Sequence, residues 1–167
     1  MIFLKAFLHS IKLPTKNAVF QLNRIGMDIT VVYMFIIMAI VAIPALLDRL
    51  IASNDLGTDM ALVFQLIYFF MFYYLPLTII VFIVLSGVAY LYVWIAKGLK
   101  RKLRFSLLWK MSAYTTTIPF LIYTMIACLF SIDDSLLWIF FIYSLLVLFK
   151  IITVYPERMK KKPRKEV

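Results

Sequence analysis

Acidic residues, cysteine, histidine and glycine are scarce in this sequence. The 167-residue chain has 8 Asp and Glu against 18 Lys and Arg, with one cysteine, one histidine and four glycines. One cysteine excludes an intrachain disulfide, and one cysteine with one histidine is too few for a Cys/His zinc site. Walker, H-E-x-x-H and G-x-S-x-G patterns are missing from the sequence. We therefore expect no enzyme activity and no metal or cofactor.

Apolar residues are abundant instead. They make up 65% of the chain, aromatic residues make up 17%, and the mean hydropathy is +0.98. A soluble domain of this length could not bury so much apolar surface. The composition predicts an all-α, polytopic membrane protein. The net charge of +10 does not indicate a nucleic-acid partner, because no recognition motif accompanies it.

The basic residues are clustered along the chain. All but Arg49 and Lys150 lie in three groups, Lys5–Arg24, Lys97–Lys110 and Arg158–Lys165. Most acidic residues occupy the intervening gaps. This alternation is the positive-inside pattern, so we expect the three basic groups and both termini to be cytoplasmic. Basic residues there attract anionic lipid headgroups, by about 1 kcal/mol each.

Four transmembrane helices fit this alternation. Each predicted span is about as long as the hydrocarbon core of a bilayer is thick. External loops are expected at Asp48–Asp59, which contains Gly57, and at the turn Ser131–Ser135. One membrane domain then covers residues 1–155, and a basic cytoplasmic tail covers residues 156–167. The predicted spans are 29–47, 74–96, 111–130 and 136–155.

The second span is ambiguous from sequence. The apolar stretch Met60–Ala96 would form a helix of roughly 55 Å, too long for one span. Two spans would need a turn near Pro76, where no polar turn exists, and would break the charge rule. We therefore expect one span over 74–96. Residues 60–73 then lie at the outer interface, rise from it, or belong to one long tilted span.

The N-terminus has the pattern of an amphipathic interfacial helix. Lys5, His9 and Lys12 form one polar stripe on a helix whose other faces are apolar. Pro14 ends this helix, and a second short helix is expected over Lys16–Arg24 with Thr15 as its cap. Eight residues are predicted to contact lipid headgroups: Lys5, His9, Lys12, Lys16, Lys100, Arg101, Lys102 and Arg104.

The third span contains the densest polar segment within a predicted span. Pro119 cannot donate to the carbonyl of Thr115 and should bend the helix. The neighbouring hydroxyls can bond freed carbonyls or groups on other helices, and Ala113 with Thr117 forms a small-xxx-small pair. We predict a helix-packing seam; a hinge, or a groove for a partner or lipid, is the alternative. The predicted packing residues are Ser112, Ala113, Tyr114, Thr115, Thr116, Thr117 and Pro119.

The same segment resembles a bacterial membrane family of unknown function. The run Arg104–Pro119 reads RFSLLWKMSAYTTTIP. The N-terminal run Phe7–Pro14 and the pair Ile43-Pro44 at the end of the first span are also similar to this family, Domain of Unknown Function 1189. Its members are sometimes labelled maltodextrin utilisation proteins and are grouped with Yip-type membrane proteins. The resemblance implies a Gram-positive cytoplasmic membrane protein without established enzyme activity. This chain lacks the extracellular region that longer members carry after the first span.

These observations favour a non-catalytic role. We expect an accessory, regulatory or scaffolding subunit that acts through helix–helix and lipid contacts. Its partners would be anionic lipids and a membrane protein or further copies of itself. The alternative is a component or accessory of a membrane transporter, for example a sugar importer.

The topology can be tested by cysteine labelling. In a chain whose Cys128 is replaced by Ser, Asn54→Cys and Ser135→Cys should react with a membrane-impermeant maleimide added outside the cell. The physical reason is that basic clusters stay on the cytoplasmic side. Reaction of Asn54→Cys from the cytoplasmic side alone would contradict the four-span topology.

Overall fold

The computed structural model describes residues 2–55, 62–101, 103–129 and 135–155. All regular structure in these four ranges is helical, and a π-helical turn over Phe70–Tyr74 joins the fifth and sixth α-helices. In chain order the helices are α1 (Ile2–Ile11), α2 (Lys16–Arg24), α3 (Met27–Val41), α4 (Ile43–Asp55), α5 (Leu62–Phe69), α6 (Leu75–Gly98), α7 (Phe105–Thr115), α8 (Thr117–Leu129) and α9 (Ser135–Val154).

Three long helical segments are apolar and long enough to cross a membrane. They are Met27–Ile51, Leu62–Gly98 and Phe105–Leu129. The prediction of an all-helical protein with apolar membrane-length helices is therefore confirmed. Helix α9 is also apolar, but its fully described part, Trp138–Val154, is shorter. The count of four spans stays a prediction.

The ambiguous stretch forms one continuous segment. The chain is helical from Leu62 to Gly98 without a turn near Pro76. The missing N–H of Pro76 is accommodated by the π-helical turn just before it, where the amide of Leu75 donates to the carbonyl of Phe70. Single π-helical turns of this kind occur within otherwise regular α-helices. A hairpin of two spans is thereby excluded.

The loop expected from Asp48 is wrong over its first part, because α4 continues to Asp55. Ser53, Asn54 and Asp55 are common turn residues, but they also occur in the last turn of a helix. No proline or glycine interrupts the chain between Pro44 and Gly57. Residues 56–61, like the predicted turn at 131–134 and the tail from 156, lie outside the described residues.

Prolines explain the breaks in the other two long segments. Helices α3 and α4 meet at Ala42, two residues before Pro44, and α7 and α8 meet at Thr116, three residues before Pro119. A proline removes one intrahelical hydrogen bond and its ring displaces the preceding turn. The third long segment is interrupted at Thr116, near Pro119; the bend expected from Pro119 stays a prediction.

Helix α7 lies at the centre of the bundle. Eight consecutive residues, from Leu108 to Thr115, are buried. A helix that is buried on every face must be surrounded by other helices. Its neighbours are α1, α2, α3, α6 and α9, besides α8, which continues it. This helix is therefore the element on which the others assemble.

The N-terminal helix packs against the bundle as well as exposing an apolar face. Ala6 and Ser10 are fully buried, and α1 contacts both α7 and α8. The Ser10 side chain lies beside the Tyr33 hydroxyl. Two small residues four positions apart let the helix backbones approach closely. Leu4 and Leu8, on other faces of α1, remain exposed.

Enlarging this small face should loosen α1 from the bundle. Ala6→Leu adds volume at a fully buried site, and overpacking typically costs about 1–3 kcal/mol. We expect a lower unfolding temperature in detergent and faster proteolysis within α1. Ala39→Leu is the matched control, because Ala39 is exposed and should accept the larger side chain. Equal stability of the two variants would show that α1 does not depend on close packing.

Candidate functional site

Four hydroxyl-bearing side chains join the first and third long segments. Thr30 and Tyr33 of α3 face Tyr114 of α7 and Thr117 of α8, and we call these four residues the hydroxyl seam. The hydroxyl oxygens of Thr30 and Tyr114 are 2.9 Å apart, and those of Tyr33 and Thr117 are 3.1 Å apart. The rings of Tyr33 and Tyr114 also touch, with centroids 5.3 Å apart. All four side chains are buried.

The two hydroxyl pairs of the seam show how the first and third long segments are aligned. Both hydroxyl pairs join residues 84 positions apart, so α3 runs parallel to α7 and α8 at this level. Thr30 donates to the carbonyl of Gly26 at 3.0 Å, and a hydroxyl has only one proton. Tyr114 is therefore the donor to Thr30. A Thr-x-x-Tyr pair on one helix meets a Tyr-x-x-Thr pair on the other, a pattern the sequence analysis did not use.

The other predicted packing residues serve the third span itself. Ser112, Thr115 and Thr116 each donate to a carbonyl of their own helix at 2.7–2.8 Å. Ala113 and Pro119 are buried, and Thr116 is half-buried. Only Tyr114 and Thr117 of the seven bond another helix among the described contacts.

Lys110 joins α7 to the end of α2, a contact that its position in the sequence did not indicate. Its ammonium group donates to the carbonyls of Asn23 and Ile25, both at 2.8 Å. These carbonyls lie at the C-terminal end of α2, where backbone acceptors lack helical partners. The positive charge also suits the negative end of the helix dipole. Lys110 is only 8% exposed, so it holds α2 onto α7.

Arg101 makes the corresponding contact with α9. Its guanidinium donates to the carbonyls of Ile152, at 2.7 Å, and Tyr155. Arg101 was predicted to contact headgroups, and the structure places it half-buried at this helix end. Of the other predicted headgroup residues, His9 is half-buried and Lys102 lies outside the described residues. The exposed ones are Lys5, Lys12, Lys16, Lys100 and Arg104.

An apolar groove opens on the side of α7 and α8 away from the seam. It lies between α6, the α7–α8 segment and α9, and its volume is about 480 Å³. We call it the lateral groove. It is lined by Val81, Val84, Leu85, Val88, Ser112, Thr116, Pro119, Phe120, Tyr123, Trp138, Phe140, Phe141, Ser144, Leu145 and Leu148.

The far ends of the first two long segments form a second distinct surface. The Arg49 guanidinium lies 5.6 Å from the ring centre of Tyr73, and the Gln65 amide donates to the Arg49 carbonyl at 3.1 Å. These contacts pair the end of α4 with α5 and the π-helical turn. We call the described residues 47–51 and 62–73 the helical tip. Its outer face carries Ile51, Phe64, Tyr68 and Phe72, all more than half exposed.

No protein-family model, curated protein or solved structure matches this chain. The resemblance to Domain of Unknown Function 1189 therefore stays an expectation.

The hydroxyl seam can be tested by removing single oxygen atoms. Tyr114→Phe deletes the donor to Thr30 while keeping the ring, and such interhelical bonds contribute about 0.6 kcal/mol and up to about 1.7. We expect a small loss of stability in detergent and a coupling of that size in a double-mutant cycle with Thr30→Val. Tyr90→Phe is the control, since Tyr90 is 57% exposed. Additive effects of Tyr114→Phe and Thr30→Val would contradict the pairing.

Proposed function

We propose that this chain is a non-catalytic membrane subunit that binds a second membrane protein through its helical tip. The observation that carries this proposal is the length of the segment Leu62–Gly98, which has 37 residues. A helix of that size is about 55 Å long. A bilayer is about 30 Å thick in its core and 40–45 Å with its headgroups.

At the average tilt of about 20°, the segment rises roughly 52 Å along the bilayer normal. At that tilt the segment exceeds the thickness of the bilayer with its headgroups, and part of it projects from the membrane. The end of α4 lies beside α5, because Arg49 contacts Tyr73 and Gln65. The two helices would therefore project together as the helical tip.

The surface of the tip is suited to association. Phe64 is 70% exposed and Phe72 is 67% exposed, while Tyr68 stacks on Phe72 with centroids 4.7 Å apart. Contiguous exposed apolar surface outside the hydrocarbon core favours an interaction site. Aromatic side chains are frequent anchors of such interfaces. The hydroxyls of the seam bond each other inside the bundle and are not available to a partner. The exposed surface of the helical tip is.

The orientation of the proposed subunit follows from charge. Exposed Lys5, Lys12, Lys16, Lys100 and Arg104 would face anionic headgroups of a bacterial cytoplasmic membrane. Helix α1 would then lie at the cytoplasmic interface by its exposed side, and α9 would form a fourth span. Both termini would be cytoplasmic and the helical tip would be external.

Crosslinking in intact membranes, followed by purification, tests the proposal. The double variant Phe64→Ala with Phe72→Ala removes two aromatic anchors, and truncation of one hot-spot side chain costs about 2 kcal/mol or more. We expect this variant to lose its crosslinked partner. Phe149→Ala is the control, because Phe149 is similarly apolar and 46% exposed, but lies near the opposite end of the bundle.

The identity of the partner separates the two functional classes. A permease or a transport ATPase that depends on Phe64 and Phe72 would make the chain an importer accessory. Another membrane protein with the same dependence would make it a scaffold. Recovery of the same partner by wild type and double variant would contradict docking through the helical tip.

A further inference from the structure

We propose that the helical tip is hinged to the rest of the bundle and swings as one unit. The hinge consists of two helix interruptions, the break at Ala42 between α3 and α4 and the π-helical turn Phe70–Tyr74 between α5 and α6. This inference concerns the movement of the tip and does not require that the tip bind a partner. It therefore stands or fails separately from the proposed function.

The two interruptions lie beside each other. Met38 and Ala42, at the break, form one buried cluster with Phe69 and Tyr74, at the π-helical turn. The Tyr74 hydroxyl also donates to the carbonyl of Phe35 at 2.9 Å. An unbroken helix packed beside a broken one would hold the broken helix in place. Because both helices are interrupted at one level, they can bend about a common axis.

The backbone bonding at both interruptions is already irregular. Pro44 and Pro76 follow them closely and lack the N–H group that a regular helix would use at those positions. At the π-helical turn the amide of Leu75 donates to the carbonyl of Phe70, one residue further back than in an α-helix. Sharp kinks in helices occur mainly at prolines and at π-helical turns. Bending at this level therefore breaks fewer regular bonds than bending elsewhere in either segment.

The two helices of the tip are joined to each other. The Arg49 guanidinium lies 5.6 Å from the ring centre of Tyr73, and the Gln65 side chain donates to the Arg49 carbonyl at 3.1 Å. Tyr68 stacks on Phe72, with ring centroids 4.7 Å apart. The contacts of Arg49 connect α4 to α5 and to the π-helical turn. One helix of the tip therefore carries the other with it when it moves.

A cavity beside the hinge provides space for this movement. Its volume is about 340 Å³, and it lies between the first two long segments, with Ile40 and Ile43 on one side and Phe70 on the other. Close-packed protein interiors resist displacement, because each shift must push other side chains aside. A swing that brings the start of α4 toward the π-helical turn takes up space that is already present.

A hinge at this level gives the tip a range of angles relative to the bundle. A partner that binds the tip would select one of those angles. Binding would then change the packing at Tyr74, whose hydroxyl bonds α3. This consequence rests on the proposed function, whereas the hinge itself does not.

Distances between pairs of nitroxide labels test the hinge. The full chain, with Cys128→Ser, is placed in phosphatidylglycerol nanodiscs and measured by double electron–electron resonance. Labels at Val63 and Leu91 span the hinge, and labels at Val32 and Leu91 lie within the bundle; all three sites are exposed. We expect the distance distribution across the hinge to be at least about two-fold wider than the one within the bundle. Equal widths for the two pairs would overturn the proposal.

Proline replacement adds a second measurement. The double variant Pro44→Ala with Pro76→Ala restores both backbone N–H groups, so we expect the distribution across the hinge to narrow to the width of the bundle pair. Pro119→Ala is the matched control, because it alters the third long segment and leaves the hinge intact. An unchanged width in the double variant, or the same narrowing in Pro119→Ala, would overturn the proposal. If the double variant does not fold, the two label pairs in the chain with its prolines decide alone.

Discussion

Burial of α7 on all its faces is the constraint on which the structure depends. A helix inside a membrane gains little by hiding apolar side chains, since lipid is equally apolar. It gains by close packing and by hydrogen bonds that lipid cannot offer. The segment Leu108–Thr115 supplies small and polar side chains for both. Three of its neighbours contact it through different groups: α3 through the hydroxyl seam, α2 through the ammonium of Lys110, and α6 through the bond from the Trp109 indole to the Ser86 hydroxyl.

This arrangement separates inward polar surface from outward apolar surface. Hydroxyls and cations of the third span bond to carbonyls or to other hydroxyls inside the bundle. The outer faces are left almost entirely apolar. The lateral groove lies between α6, the α7–α8 segment and α9. The helical tip lies where the end of α4 meets α5 and the π-helical turn.

Sequence patterns predicted the parts of this fold that depend on local chemistry. Apolar runs predicted the long helices, and Pro119 indicated where the third long segment is interrupted. The turn residues after Asp48 led to a wrong prediction of a loop, because the end of a helix tolerates the same residues that a loop prefers. The partner of Lys110 could not be predicted, since α2 is more than 80 positions away and basic residues near a span usually face headgroups. The packing role of Ala6 and Ser10 could not be predicted for a similar reason. Small residues are common on short helices, and only the tertiary structure shows that another helix packs against them. The Thr-x-x-Tyr and Tyr-x-x-Thr pairs were readable, but only a structure brings them into register.

Fluorescence quenching of single-tryptophan chains in vesicles of brominated phospholipid tests the central position of α7 most directly. The chain has three tryptophans, and Trp109 is 4% exposed whereas Trp138 is 70% exposed. Replacing the other two with Phe leaves either Trp109 or Trp138 as the sole reporter. Brominated chains should quench Trp138 strongly and Trp109 weakly, because α7 is surrounded by protein. Equal quenching of the two would place α7 against lipid and contradict the account.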